Sequence, residues 1–156
     1  MKNLYRGKML NPSELEYDDI PSSNGWVYGY LIENRYIVGD VLDWTDEYFN
    51  TEWWVRVEEN TVGQCIGIRD AKRSATFPNG EMVFCGDIVK CKDLLIKDRS
   101  EFIGVVREGN GGFYIDSGAV SDYRWYDYEC LIIGNRWDNF DLMEKYELWK
   151  GLRENV

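Results

Sequence analysis

The 156-residue sequence contains no histidine, only three prolines and four cysteines that lie well apart along the chain. Without histidine, the chain cannot build a Ser–His–Asp triad, a Cys–His pair or a His-ligated catalytic metal site. The closest two cysteines, Cys85 and Cys91, are six positions apart, whereas zinc sites typically use Cys pairs separated by about two to four residues. The sequence therefore excludes histidine-dependent catalysis and argues against a zinc site, while carboxylate chemistry stays open.

A long apolar run is also missing. No stretch approaches the roughly 20 consecutive apolar residues that a helix needs to span a bilayer, and the first residues do not form the apolar segment of a signal peptide. In a chain without an export signal, cysteines are expected to be reduced thiols that pack as small hydrophobic side chains. We therefore expect the protein to be cytoplasmic.

Basic residues are scarce in the first third of the chain. Twelve acidic but only two basic residues lie between Ser13 and Asn60, so this stretch accounts for the whole formal net charge of −10. An acidic surface repels nucleic-acid phosphates and anionic lipids, and it attracts basic partners. Two other interpretations stay open: the charge keeps an aromatic-rich protein soluble, or the carboxylates imitate the phosphates of DNA and inhibit a host nucleic-acid-binding protein.

What the sequence does contain is a series of short β-branched and aromatic runs separated by turn residues, which predicts a mainly β fold, either a small barrel or a sandwich. The pair of runs around Glu33-Asn34-Arg35 predicts a hairpin, since Asn tolerates the positive φ of a tight turn. The run Gly109-Asn110-Gly111-Gly112 precedes a strand rather than a helix, so it predicts a hairpin turn and not a phosphate-binding loop. The predicted strands are residues 26–32, 36–38, 53–57, 62–68, 87–91, 102–107, 112–115 and 131–134.

One helix is predicted, over residues 140–152, with Asp138 or Asn139 as its N-cap. Leu142, Tyr146, Trp149 and Leu152 recur three to four positions apart and give the helix one apolar face. Such a face belongs in the core, or it docks on a neighbouring subunit.

Aromatic residues form two clusters in the sequence, one around residues 44–54 and the other at residues 123–128. Proteins that bind single-stranded nucleic acid surround their aromatic residues with Lys and Arg, and neither cluster has such neighbours. Core packing and a protein–protein interface explain them better. The candidate interface residues are Trp44, Trp53, Trp54, Tyr123, Trp125, Tyr126 and Trp149.

No catalytic, cofactor-binding or metal-binding residue is assigned. Adjacent carboxylates occur at Asp18-Asp19, at Asp43 with Asp46-Glu47 and at Glu58-Glu59. A carboxylate-based metal enzyme would require two such groups to meet in a cleft, which the sequence does not show.

Five phrases occur in a specific order: Trp26-Val-Tyr-Gly-Tyr-Leu-Ile, Thr61-Val-Gly-Gln with Gly67-Ile-Arg-Asp, Gly86-Asp-Ile-Val-Lys, Gly104-Val-Val and Ile132-Ile-Gly-Asn. This order resembles the YopX-like proteins of bacteriophages and prophages over residues 4–142. The resemblance implies an SH3-like small barrel, a bacterial host cytoplasm and a homo-oligomer, with trimers as one form, but it implies no known activity. Cys85, where relatives carry an acidic residue, and the inserted residues 71–77 depart from the family pattern.

Together these observations predict a mainly β protein in three parts: an acidic β-hairpin region over residues 1–60 packed on the barrel, an SH3-like barrel over residues 61–136, and a C-terminal helix over residues 137–156. The predicted function is a non-enzymatic protein-binding or oligomeric module without a cofactor, which does not act at a membrane. The alternatives are an acidic DNA mimic, a nucleic-acid-binding small barrel and a carboxylate-based metal enzyme.

Overall fold

The computed structural model describes residues 4–11, 20–96 and 101–148. The chain is mainly β, as predicted, with 51% of its residues in strands, a sheet curled into a half-barrel and one short helix near the C-terminus. It forms two compact units, Met1–Cys65 and Ile66–Val156. The division between them falls inside a single strand, Gly63–Arg69.

The sheet of the N-terminal unit is built around a central hairpin, β3–β4. Glu33 and Asn34 both have positive φ, at 55° and 56°, in the turn between these strands, so the predicted hairpin is confirmed. The spatial order is β7-β4-β3-β1-β8 with β2 beside β3, while β5 and β6 form a separate two-stranded hairpin. The strands are β1 Tyr5–Lys8, β2 Ser22–Ser23, β3 Trp26–Ile32, β4 Tyr36–Val38, β5 Val41–Trp44, β6 Phe49–Thr51, β7 Trp54–Arg56 and β8 Gly63–Arg69.

The core of the N-terminal unit follows from strand alternation. Side chains two apart on a strand share a face, and the inward-facing Ile37 of β4 and Val55 of β7 lie opposite one another in register. These two side chains pack with Met9, Ile20, Val27 and Val57 in one buried cluster. The outward-facing residues of the same strands are therefore left to form a surface.

In the C-terminal unit, β8 continues beside β9, and five antiparallel strands follow in the order β13-β12-β11-β10-β14. Gly109 and Gly112 face each other at the end of the β11–β12 hairpin, so the glycine-rich run is a hairpin turn, as predicted. The elements are β9 Met82–Phe84, β10 Asp87–Asp93, β11 Phe102–Gly109, β12 Gly112–Asp116, β13 Ser121–Asp122, β14 Tyr128–Asn135 and the helix α1 Phe140–Lys145.

The first half of strand β10 is buried on both faces, whereas Lys90 and Lys92 farther along are exposed. Val89 and Cys91 belong to a cluster with residues of β9, β11, β12 and β14. The alternate residue Ile88 packs instead with Val105 and with two residues of the C-terminal segment, Met143 and Leu148. Ile88 and Val89 are therefore consecutive apolar residues in the sequence, whereas the exposed Lys90 and Lys92 alternate with the buried Cys91 and Asp93.

The turn before β10 combines a glycine and a carboxylate. Gly86 has φ +93°, and a Cβ at this position would lie 2.2 Å from the Trp137 ring, so no other residue fits without rearrangement. The Asp87 carboxylate accepts a 2.8 Å hydrogen bond from the Phe84 N–H. Both features are typical of a Gly-Asp turn, in which the carboxylate accepts a local backbone N–H.

The helix is shorter than predicted. It ends at Lys145 rather than continuing to residue 152, and Glu147, with φ +55°, cannot continue it. Asn139 lies at the N-cap position, but its side chain accepts a hydrogen bond from the Asn135 N–H instead of capping the helix. The predicted residues Trp149 and Leu152 lie outside the described residues.

Two buried polar clusters hold the C-terminal unit together. Arg107 and Asp116 form a buried ion pair with Nε and Oδ2 2.7 Å apart, and the Arg107 guanidinium also donates to the Leu148 carbonyl just after α1, at 2.9 Å. The buried Asp70 carboxylate accepts hydrogen bonds from the N–H groups of Lys72 and Glu81 on one oxygen. Its other oxygen accepts the N–H of Ile132 in β14.

Candidate functional site

The outward face of β3, β4 and β7 carries a set of exposed and half-buried apolar side chains. Tyr36 lies opposite Ile32 in the β3–β4 pair, and Trp54 lies opposite Val38 in the β4–β7 pair. The Tyr36 and Trp54 rings meet edge to face, with centroids 5.7 Å apart and planes at 75°. Because the other face of these strands fills the core, strand alternation forces these rings outward.

The outward face of β3, β4 and β7 forms one wall of a groove, and the β5–β6 hairpin forms the second wall. Its turn is held by the Thr45 hydroxyl, which accepts hydrogen bonds from the N–H groups of Glu47 and Tyr48, both at 3.2 Å. Farther along, the Asn50 side chain donates a 2.8 Å hydrogen bond to Asp43 on the facing strand. These contacts fix a hairpin in which every residue from 40 to 50 is exposed.

Between the two walls lies a groove of about 500 Å³ that is open to solvent. We call it the aromatic groove; it is lined by Ile32, Tyr36, Val38, Phe49, Asn50, Thr51 and Trp54. Its volume is in the range of ligand sites, roughly 300–1,000 Å³, but an open groove suits a side chain or a segment of a partner better than an enclosed small molecule.

The acidic hairpin, residues 40–52, borders this groove on one side. It contains five carboxylates and neither Lys nor Arg. It also exposes five large apolar side chains, at Val41, Leu42, Trp44, Tyr48 and Phe49. Isolated exposed apolar residues are common, whereas a contiguous set of them marks an interaction surface.

The structure separates the predicted interface residues of the N-terminal unit. Trp44 and Trp54 are exposed, at 73% and 66% of their surface, and Trp54 lines the aromatic groove. Trp53 points the other way and packs against the buried cluster of the unit. A Cβ on Gly39 would lie 2.7 Å from its indole nitrogen, which shows how closely Trp53 is enclosed.

The second predicted cluster lies in the C-terminal unit, around the turn before β14. Tyr126 is 96% exposed, and Tyr123 is also exposed, with its ring 5.1 Å from that of Tyr114. Trp125 is half-buried and donates a 2.9 Å hydrogen bond from its indole N–H to the Phe113 carbonyl. The last predicted interface residue, Trp149, lies outside the described residues.

Beneath this cluster, the buried Asp122 accepts hydrogen bonds from Tyr128 and Arg124. The Tyr128 hydroxyl donates to Oδ2, the Arg124 guanidinium donates to both carboxylate oxygens at 3.0 and 3.2 Å, and the Arg124 N–H donates at 2.9 Å. Burial alone would raise the pKa of Asp122, but these hydrogen bonds outweigh it and lower the pKa from 3.8 to about 2.

Replacing Asp122 with Asn is expected to lower the free energy of unfolding at neutral pH by about 1–2 kcal/mol. The effect is no larger because Arg124 is exposed, and solvent screens its charge. A carboxyl whose pKa is lowered on folding stabilises the native state fully above its ordinary pKa, 3.8. That contribution is lost as the pH falls through about 2. Urea unfolding at a series of pH values should therefore show a weaker acid dependence in Asp122→Asn than in the wild type, and equal dependence would contradict this role.

The buried Cys91 is not an activated nucleophile. Cys91 and Cys130 are buried and face each other across β10 and β14, with their sulfur atoms 2.9 Å apart. Hydrogen bonding to Cys130 and burial both raise the pKa of the Cys91 thiol above its ordinary value. A thiol with a raised pKa stays protonated and is a poor nucleophile.

Within residues 4–11, 20–96 and 101–148, no three Cys, Asp or Glu side chains lie close enough together to hold a metal ion. The acidic pairs at residues 43–47 and 58–59 are exposed, and Asp18-Asp19 falls outside the described part of the chain. In that part, no helix is both long and apolar enough to cross a membrane.

Comparisons with protein-family models, with curated proteins and with solved structures found no match to this chain. Of the seven residues that line the aromatic groove, only Trp54 was predicted as a site residue, and the other six were not. Tyr36 could have been identified from the sequence, because it precedes the inward-facing Ile37 and therefore points outward. Phe49 could not, because only the observed path of the β5–β6 hairpin brings it to this face.

Proposed function

We propose that this protein is a non-enzymatic protein-binding module and that the aromatic groove and the acidic hairpin form its docking surface. The observation that carries the proposal is the run of exposed residues 40–50, in which five large apolar side chains face solvent. Burying such side chains against a partner is favourable, and Trp and Tyr contribute strongly to binding at protein interfaces.

The surroundings of the groove favour a protein over a nucleic acid. Aromatic residues that stack on bases lie in positively charged grooves, whereas the acidic hairpin contains carboxylates and no base. A DNA mimic would present mainly carboxylates, but here Trp44, Tyr48 and Phe49 are interleaved with them. The mixture of aromatic and acidic side chains is more typical of a surface that binds a basic protein.

The YopX-like, SH3-like barrel assignment is part of the same proposal. It is supported by the order of the five sequence phrases and by the curled, mainly β sheet. The assignment implies a phage or prophage protein in a bacterial cytoplasm.

Self-association is proposed for the C-terminal unit. The Leu94 N–H donates to the Asp127 carbonyl at 2.9 Å, which places Leu94 next to the turn that carries Tyr126. Leu94, Leu95, Ile96 and Tyr126 are all exposed, and together they offer an apolar surface to a second copy. Light scattering that finds only one chain per particle would rule this out.

The function is tested with the wild type, with Trp54→Ala in the groove and with Tyr126→Ala as a matched exposed aromatic residue in the other unit. Each protein is immobilised and exposed to bacterial extract, and every retained protein is purified for a direct measurement of Kd. We expect a partner that binds the wild type and Tyr126→Ala equally, and Trp54→Ala about 30-fold or more weakly.

Two results would overturn the proposed function. One is a wild type that retains no protein, and the other is a set of partners whose Kd is the same for all three variants. Circular dichroism of each variant ensures that a loss of binding is not a loss of folding.

A further inference from the structure

The aromatic groove has walls suited to a cation. Tyr36 and Trp54 line one wall and Phe49 lines the other, so three aromatic rings meet around one open space. The face of an aromatic ring carries negative charge density, and Trp attracts cations most strongly. A cationic side chain that enters the groove would contact rings on both sides. Because the ring faces attract the cation, it would not need a buried counter-charge.

The charges around the groove have the sign that a cation requires. Asp43 holds the groove residue Asn50 through a 2.8 Å hydrogen bond, which places one carboxylate at the border. Asp40 and Glu52 lie together at the base of the hairpin, where the Glu52 N–H donates to the Asp40 carbonyl at 2.9 Å. These carboxylates can attract a cation at long range and lower the cost of desolvating it at the border.

Two basic residues are nearby, and neither reverses that sign. Arg35 is paired with Glu59, with Nε and Oε1 2.9 Å apart. Arg56 lies opposite Tyr36 in register and shares its outward face, but it is a single positive charge beside the five carboxylates of the acidic hairpin.

We propose that the aromatic groove binds the side chain of an arginine or lysine in a basic segment of the partner protein. This inference rests on the proposed function and specifies the chemistry of the partner. The ring walls bind the cation, and the surrounding carboxylates bind the flanking basic residues of the same segment.

A second copy of this chain fits the groove less well. Two acidic hairpins brought face to face would each contribute five negative charges, and like charges across an interface oppose association. Phosphate groups of nucleic acids and anionic lipids are repelled for the same reason.

The test uses fluorescent octapeptides of alternating glycine with arginine, lysine or citrulline, and fluorescence anisotropy at low salt as the readout. Citrulline keeps the shape of arginine without its charge. We expect the arginine and lysine peptides to bind the wild type and the citrulline peptide to bind at least about 10-fold more weakly, since it lacks both the cation–π and the ionic contact.

Variants separate the groove from the general attraction of an acidic surface. Trp54→Ala is expected to weaken binding of the arginine peptide roughly 3- to 30-fold, and Trp54→Phe, which keeps an aromatic ring, is expected to retain most of it. Phe140→Ala is the matched control, because Phe140 is an exposed aromatic residue that belongs neither to the groove nor to the acidic hairpin. It should bind the arginine peptide like the wild type.

Three results would overturn the inference: equal binding of the citrulline peptide, equal losses in Phe140→Ala and Trp54→Ala, or tighter binding of a thymidine oligonucleotide than of the arginine peptide. A wild type that binds no cationic peptide would also overturn it. If the partner found by immobilisation is nevertheless lost in Trp54→Ala, the proposed function stands and only the cationic chemistry is wrong. Failure of both experiments would remove the proposed function as well.

Discussion

Replacing Arg107 with alanine is expected to lower the free energy of unfolding by about 3–5 kcal/mol. The substitution leaves the buried Asp116 carboxylate without its ionic partner, and an unpaired buried charge is strongly destabilising. It also removes the donor to the Leu148 carbonyl, so the segment after α1 loses its polar attachment to β11. Urea unfolding followed by circular dichroism measures the loss.

The double replacement Arg107→Met with Asp116→Leu is the matched control. It removes both charges and keeps apolar volume, so it should cost clearly less than Arg107→Ala alone. The Asp116 carboxylate also accepts a 2.8 Å hydrogen bond from the Gly118 N–H, which the double variant loses. If the single and the double variant are equally destabilised, the loss arises from packing or from the hydrogen bonds to Leu148 and Gly118, and the ion-pair explanation is wrong.

The second large effect is expected at Asp70. Replacing it with alanine removes the acceptor of three backbone N–H groups, those of Lys72, Glu81 and Ile132. A buried donor left without an acceptor costs about 1–3 kcal/mol. The cost is lower for the N–H groups of Lys72 and Glu81, because both are half-buried loop residues that water can reach. We therefore expect a loss of about 2–4 kcal/mol in the free energy of unfolding, measured by urea denaturation.

Asparagine at the same position distinguishes the contributions of the two carboxylate oxygens to stability. In Asp70→Asn, the side-chain carbonyl can still accept from Lys72 and Glu81, but the amide nitrogen cannot accept from the Ile132 N–H. Its stability should therefore lie between those of the wild type and of Asp70→Ala. If Asp70→Asn is as stable as the wild type, the link between Asp70 and β14 contributes nothing measurable.

The sequence was informative where a local rule decides the structure. The bounds of β3 and β4 follow from two apolar runs and a turn that needs positive φ at Asn34. The Asn135 side chain accepts hydrogen bonds from the N–H groups of Trp137 and Asp138, two and three positions along the chain. The period-two alternation of a strand puts Trp53, Val55 and Val57 on one face, and this face packs into the core.

The sequence was less informative where tertiary contacts decide. Strands β5 and β6 mix exposed apolar residues with acids and carry no clear period, so they were not predicted. The helix was predicted to be too long because periodicity cannot show that the chain turns at Glu147. The groove has two walls that do not belong to one strand pattern. Phe49 lines the same groove as Trp54 because of the path of the β5–β6 hairpin, which no sequence repeat reveals.

The arrangement of β10 between β11 and β14 has a consequence for the order of folding. Cys91 and Cys130 face each other across 39 positions of sequence, so β10 cannot pair with β14 until those later residues have been synthesised. The buried cluster of the N-terminal unit, by contrast, uses residues 9–57 alone. During synthesis, the N-terminal unit can thus acquire its core while β10 still waits for β14 to leave the ribosome.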